Sequence, residues 1–384
     1  MLLGGAGLLC AEDAVSRGFN HFYNLEFDQA VQAFVSAIQK DPSNPDVHNH
    51  LAQAILYREM LRAGSLESEL VTGSNPFLRR DKLKPAEEDR VRFDSAIETS
   101  LKLTQAALNA SPGSVPALYA QGVAYGLRGN YNFLVRKAWN DALQDVTTSR
   151  KLHAKVTRLQ PEHYDARLVQ GFHDYVVGSL PFAYKILGFV VGFRGDKEGG
   201  IRTLQLVAAN GNANRNDAKM LLAVVYRRER RPGDAIPLLN DLLQAYPRNY
   251  LLRLEMVQMY GDLGDKQKAL AALLELERMR RVGTPGFSAL PAEKINFARG
   301  NLLFWYRDYD RAIEELKKAA AKARELDLNT GATTFLRLGQ CYDMQRQRSQ
   351  AMESYRAAIA LAPDSDAARQ SKQYLTWPYK RGKV

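Results

Sequence analysis

Residues 333–365 read TTFLRLGQCYDMQRQRSQAMESYRAAIALAPDS, and this stretch decides the fold. Apolar and aromatic residues recur every three or four positions on both sides of a polar centre, which predicts two amphipathic helices joined by a turn. Small residues stand where the helices would cross, and a proline ends the second helix. The pattern is set by Phe335, Leu338, Gly339, Tyr342, Ala351, Tyr355, Ala358 and Pro363. One such hairpin cannot bury its apolar face alone, so neighbouring hairpins are expected.

The same spacing of small, aromatic and apolar residues recurs elsewhere in the chain. The matching sets are Gly18, Ala30, Phe34, Ala37 and Pro42; Leu222, Ala223, Tyr226, Ala235, Leu239 and Pro247; Val257, Tyr260, Gly264, Ala269 and Leu273; and Gly300, Ala312, Leu316 and Ala319. Residue type and spacing together resemble the tetratricopeptide repeat. The resemblance implies an all-α, right-handed α-solenoid. With the weaker matches counted, we predict about eight such hairpins, irregular and longer central pairs, and a C-terminal capping helix.

Interruptions of the repeat pattern indicate how the chain is organised. The predicted solenoid spans residues 12–281, with insertions at 64–90 and 129–160 and an apolar kinked helix at 172–193. The stretch RRVGTPGFSALPAE is rich in residues that favour turns, so it marks a candidate boundary. Residues 282–384 then hold the C-terminal pairs and the capping helix.

The first eleven residues, MLLGGAGLLCA, form an apolar, glycine-rich run that stops before Glu12. This run resembles the second half of a secretory signal peptide whose basic start is missing. It favours an exported protein, periplasmic or extracellular, over a cytoplasmic one. The start of a short buried helix is the alternative.

Composition and charge are those of a folded protein with a basic surface. The chain is 46% hydrophobic and 25% charged, and its formal net charge is +11. A basic surface attracts acidic partners, although most of these side chains are expected on solvated helix faces. Basic and aromatic residues do not interleave as in a nucleic-acid-binding module, so we expect no specific nucleic-acid partner. Two cysteines, Cys10 and Cys341, do not make a disulfide framework.

The stretch SLPFAYKILGFVVGFRGDKEGG, residues 179–200, combines helical spacing of apolar residues with a charged turn. A lysine and a proline within the run argue against a transmembrane helix. The pair Leu180-Pro181 and the turn at 192–198 resemble the hallmark segment of the tetratricopeptide repeat protein 39 family, whose fungal relatives are called inclusion body clearance proteins. This resemblance implies an all-helical adaptor and brings no catalytic residues with it. Asp196 is expected to cap the helix that follows.

Two roles stay open for the apolar helix at 172–193. It can be buried core, in which case Lys185 has to extend to water. Alternatively it lines an apolar cavity that carries a lipid or another apolar small molecule. Tyr184, Leu187 and Val191 would then form the wall, and Lys185 would bind a headgroup.

No catalytic or metal-binding pattern stands out in the sequence. The six histidines include no HExxH motif, no CxxC occurs, and acidic residues alternate with basic ones as on solvated helix faces. We therefore predict that the protein is not an enzyme and has no metal or other cofactor.

In tetratricopeptide arrays the first helix of each hairpin lines a concave groove, and this family geometry implies the groove residues here. The binding residues expected from it are Arg227, Arg228, Gln258, Asn301, Trp305, Gln340 and Asp343, beside Met220, Val224, Leu254, Phe297, Phe304 and Leu336. Arginine suits a carboxylate, amides hold a peptide backbone, and aromatic rings act as anchors. Packing between repeats is the competing role, and it is favoured for Leu254 and Phe297. The predicted function is a non-enzymatic scaffold that binds a peptide or protein segment of acidic character, with the lipid carrier as alternative.

Overall fold

The computed structural model describes residues 13–64, 66, 84–179 and 195–381. In these ranges the chain forms seventeen α-helices and no strand. They are α1 (Ala14–Tyr23), α2 (Phe27–Lys40), α3 (Pro45–Arg62), α4 (Glu87–Ala110), α5 (Val115–Tyr131), α6 (Trp139–Leu159), α7 (Leu168–Gly178), α8 (Lys197–Asn210), α9 (Arg215–Arg228), α10 (Pro232–Ala245), α11 (Tyr250–Asp262), α12 (Lys266–Arg281), α13 (Ala292–Trp305), α14 (Tyr309–Ala320), α15 (Leu328–Met344), α16 (Arg348–Leu361) and α17 (Asp366–Thr376).

Consecutive helices pack in pairs, from α1 with α2 to α15 with α16, which makes eight hairpins. We call the first helix of each hairpin helix A and the second helix B. Each helix B also contacts the next helix A, so the hairpins stack into a solenoid. The last helix, α17, packs on α15 and α16 and covers the end of the array. The prediction of an all-α solenoid with about eight hairpins and a capping helix is confirmed.

Close crossings of helices A and B explain why small residues recur in the sequence. A Cβ atom at Gly339 would overlap the ring of Tyr355, and one at Gly18 would overlap the ring of Phe34. Both rings are completely buried. The predicted role of Gly339, to let helix A approach its partner, is confirmed.

Five of the A–B turns share one backbone feature. Each contains a residue with positive φ, between 55° and 91°: Leu25, Arg230, Gly264, Arg307 and Arg346. The N–H of the following residue donates to the carbonyl five positions earlier, as Gln347 does to Tyr342. This is the Schellman way of ending a helix, which usually selects glycine. Four of the five turns use a residue with a side chain instead.

The central hairpins are longer and less regular, as the sequence suggests. Residues 129–160 hold the end of α5, a π-helical turn at Asn132–Arg136 and all 21 residues of α6. Of the insertion predicted at 64–90, residues 65 and 67–83 lie outside the described residues, and its last four residues begin α4. Of the helix predicted at 172–193, α7 contains residues up to Gly178, and residues 180–194 lie outside the described ranges. Asp196 occupies the N-cap position of α8, but its side chain makes no capping hydrogen bond.

The candidate boundary after Arg281 does not interrupt the core. Phe287 and Leu290, in the loop that follows α12, are completely buried and pack in one cluster with Leu273 and Ile295. Helices on both sides of the boundary therefore share one apolar core. Among the residues with described placement, no helix is both long and apolar enough to cross a membrane.

Candidate functional site

The concave side of the solenoid encloses a cavity of about 490 Å³, which we call the channel. Helix A of every hairpin contributes at least one side chain to its wall. Apolar residues dominate the wall, with Phe22, Tyr57, Val224, Leu254 and Phe297 among them. Ligand sites in proteins are of this kind: concave, largely apolar, and lined by a few polar groups.

Several residues expected in the groove from the repeat spacing do line the channel. They are Met220, Val224, Arg227, Leu254, Gln258, Phe297 and Asn301. Leu254 and Phe297 also belong to apolar clusters of the core. Their role in packing and their place on the wall are therefore compatible.

The channel is closed on one side because the first hairpin returns to the middle of the array. Arg248, in the loop between α10 and α11, donates from its guanidinium to Glu26 at 2.7 and 3.0 Å and to Asn20 at 2.9 Å. Nδ2 of Asn249 donates to the carbonyl of Tyr23 at 2.8 Å. We call these contacts the joint. Burial acts to raise the pKa of Glu26, but the hydrogen bonds from Arg248 and His21 outweigh it and lower the pKa.

Two of the charged side chains on the wall are paired within the protein. Nη1 of Arg227 lies 3.0 Å from Glu255, and only 11% and 14% of these two side chains are exposed. Nζ of Lys294 lies 3.1 Å from Asp327, the residue that caps α15. The arginines of the groove were one reason to expect an acidic partner, and Arg227 is paired with a carboxylate of the protein itself.

Arg228 is not part of the channel wall. Its guanidinium lies 5.9 Å from the ring centre of Tyr175. The structure therefore separates the two consecutive arginines that the sequence placed together in the groove.

Arg337 on α15 holds Asn301, a polar residue of the channel wall. Its Nε donates to Oδ1 of Asn301 at 2.8 Å, and its Nη1 donates to Oε1 of Gln340 at 2.7 Å. The guanidinium also lies 4.8 and 4.9 Å from the ring centres of Phe304 and Trp305. Because its oxygen is held by Arg337, Asn301 presents its amide nitrogen as the polar donor at the channel wall.

Five further predicted groove residues do not line the channel: Phe304, Trp305, Leu336, Gln340 and Asp343. Phe304 and Leu336 are buried in one apolar cluster of the core. Trp305 is 46% exposed and is covered on one side by Arg381, whose Nη2 donates to the Trp305 carbonyl at 2.9 Å. Gln340 is 2% exposed and bonded to Arg337. Only 1% of the Asp343 side chain is exposed.

Asp343 is engaged in holding the C-terminal tail. It pairs with Arg348 at 3.0 Å and accepts from the hydroxyl of Tyr355 at 2.8 Å and the backbone N–H of Tyr379 at 2.7 Å. Its carboxylate is thus occupied by intramolecular bonds, which corrects its expected place on the groove surface.

Asp217, on the first turn of α9, was not among the predicted groove residues, yet it lines the channel. Its Oδ1 accepts from the hydroxyl of Tyr23 at 3.1 Å. Burial raises its pKa from 3.8 to about 6, the Tyr23 hydrogen bond opposes that shift, and the charge of Asp165 adds to it. The sequence carried no signal for this residue beyond its place in a helical pattern.

Burial shifts the pKa values of one cysteine and two histidines. Burial raises the pKa of Cys341 to about 12 and lowers those of His50 and His153 to about 4. In the part of the chain that the structure describes, no cluster of His, Cys, Asp and Glu could hold a metal ion. The residues proposed for an apolar carrier cavity, Tyr184, Lys185, Leu187 and Val191, lie outside the described residues.

Comparisons with known proteins agree with the repeat pattern. Models of the tetratricopeptide repeat match residues 193–250 and 333–365. No curated protein sequence matches the chain. Similar solved structures include yeast Tom70 (12% identity, TM-score 0.42, covering 96% of this chain and 89% of that one) and the Cut9–Hcn1 hetero-tetramer of APC/C (14%, 0.41, 94% and 75%). A human IFIT1 dimer with m7Gppp-AAAA is also similar (14%, 0.47, 94% and 84%). The two matches show tetratricopeptide repeats at residues 193–250 and 333–365, and the helical hairpins of the structure agree with that repeat.

Proposed function

We propose that this protein is a non-enzymatic scaffold that binds a short segment of a partner polypeptide in the channel. Tetratricopeptide repeats generally mediate interactions between proteins. The observation that carries the proposal is the channel itself, whose wall draws on helix A of every hairpin. An adaptor role is also what the resemblance of residues 179–200 to the tetratricopeptide repeat protein 39 family implies.

The size and lining of the channel favour a short, mainly apolar segment. A volume of about 490 Å³ admits a few side chains and not a folded domain. Asn301 supplies an amide donor, and Gln258 supplies an amide whose nitrogen donates to Asp262 at 2.7 Å. Such amides can fix the backbone of an extended peptide while the apolar wall takes its side chains.

A selection from a library of random linear peptides tests this proposal with purified protein. Leu254→Arg places a charged side chain on the channel wall and should weaken the selected peptides by at least about tenfold, because a desolvated charge opposes an apolar ligand. Leu274→Arg is the matched control, since Leu274 lies on α12 and is 62% exposed. It should leave binding unchanged. Both variants are first checked for wild-type helix content by circular dichroism.

Two results would count against the channel as the binding site. One is a failure to select any peptide that binds the wild-type protein. The other is equal weakening by Leu254→Arg and Leu274→Arg, which would show that the loss of binding is not specific to the channel wall. Export is a separate proposal, and a mature chain that begins near Glu12 in intact-mass analysis would support it.

A further inference from the structure

Asp217 differs from the other charged groups on the channel wall. Arg227 is paired with Glu255, and Lys294 is paired with Asp327. Among the described residues, Asp217 has no Lys, Arg or His partner within salt-bridge distance, and the hydroxyl of Tyr23 is its hydrogen-bond donor. The channel therefore contains one carboxylate whose charge is not matched inside the described part of the protein.

The neighbouring acid does not compete for the same ligand. Asp165 accepts from three consecutive backbone N–H groups, those of Asn212, Ala213 and Asn214, at 2.9 to 3.3 Å. Its oxygens are thus used to hold the loop before α9. Of these two acids, Asp217 is the one that lines the cavity.

Three tyrosine side chains lie near this carboxylate. Tyr23 and Tyr57 line the channel beside it, and the ring of Tyr246 packs against that of Tyr23 with centres 4.7 Å apart. The negative charge of Asp217 acts on all three phenols and, after burial, contributes to raising their pKa values. A carboxylate next to aromatic rings attracts a cationic nitrogen by direct charge and by cation–π contact.

We propose that Asp217, held by the hydroxyl of Tyr23 and beside the ring of Tyr57, forms a subsite for the ammonium group of a lysine side chain in the bound segment. The proposal rests on the proposed function, because the lysine belongs to the segment in the channel. The apolar wall would hold the stem of the lysine and its neighbours, and Asp217 would fix the register of the segment.

The test uses the peptides selected on the wild-type protein. Each lysine in a selected peptide is replaced in turn by norleucine, which keeps the stem and removes the charge. One replacement should weaken binding to the wild-type protein by at least about tenfold, because it leaves the half-buried carboxylate of Asp217 without a cationic partner. Asp217→Asn should weaken the original peptide by a similar factor. The norleucine replacement and Asp217→Asn together should weaken binding by no more than either change alone.

Asp241→Asn is the matched control, because Asp241 pairs with Lys219 on the outer surface and is 59% exposed. It should leave the lysine preference intact. An unchanged preference for lysine in Asp217→Asn would overturn the subsite and leave the channel proposal standing. Selected peptides that contain no lysine and bind equally well would also overturn the subsite. If no peptide is selected at all, the proposed function fails, and the subsite fails with it.

Discussion

Replacing Asp217 by Asn should stabilise the folded protein at neutral pH and have little effect in acid. In the folded protein the pKa of Asp217 is about 6, raised from 3.8 by burial on the channel wall and by the charge of Asp165. Each pKa unit corresponds to about 1.4 kcal/mol, so the full shift would amount to about 3 kcal/mol. The side chain is half-buried and reached by solvent through the channel, so we expect about 1–3 kcal/mol.

The sign of the effect follows from proton binding. The folded state holds the proton of Asp217 more tightly than the unfolded state, so this group destabilises the fold as the pH rises from about 4 to about 6. The amide that replaces the carboxyl group in Asp217→Asn carries no charge at any pH. The free energy of unfolding of Asp217→Asn should therefore match that of the wild-type protein near pH 4 and exceed it above pH 6.5.

Urea denaturation of both proteins at pH 4.5, 5.5, 6.5 and 7.5, followed by circular dichroism, measures the difference. His50 and His153, with pKa values lowered to about 4 by burial, destabilise the fold as the pH falls. They do so equally in both proteins, so they cancel in the difference. Asp241→Asn, which removes an exposed charge, should show a change below about 0.5 kcal/mol across the range. A constant difference between Asp217→Asn and the wild-type protein at all pH values would refute the reasoning.

Three further substitutions test the local and long-range contacts. Arg346→Gly should raise the free energy of unfolding by about 0.5–1 kcal/mol in urea denaturation, because φ is 60° at this exposed position. Gly339→Ala should lower it by about 1–3 kcal/mol, because the added Cβ overlaps the buried ring of Tyr355. Arg248→Ala should lower the free energy of unfolding by about 2–3 kcal/mol, because Glu26 loses its charged partner Arg248. It should also speed hydrogen exchange in α1 and α2. Unchanged exchange in α1 and α2 would show that the joint does not hold the first hairpin.

The helical hairpins could be predicted from the sequence because their signals are local. Gly339 and Tyr355 lie in the same hairpin, and their contact produces a spacing that is visible in the chain. The positive φ at Arg346 gave no such signal in the sequence, because arginine does not favour this conformation. The hydrogen bond from the N–H of Gln347 to the carbonyl of Tyr342 holds it there. Residue type alone does not reveal that constraint.

The channel could be predicted only in part, for a similar reason. Val224 and Asn301 follow from their register on helix A, which the repeat spacing sets. Asp343 has the same register, but the tail brings the N–H of Tyr379 to it, and no periodic pattern encodes that contact. Arg227 on α9 pairs with Glu255 on α11. The sequence of either helix alone therefore could not predict that the charge of Arg227 is neutralised.

The joint makes this solenoid differ from an array in which each repeat contacts only its neighbours. Arg248 and Glu26 are 222 positions apart, and Gly64 at the end of α3 lies against Asp327 at the start of α15. Because the joint covers one side of the channel, we expect slow association with a partner. Because the hydroxyl of Tyr23 bonds to Asp217, and the Tyr23 backbone belongs to the joint, a cation bound at Asp217 would act directly on the contact that closes the channel.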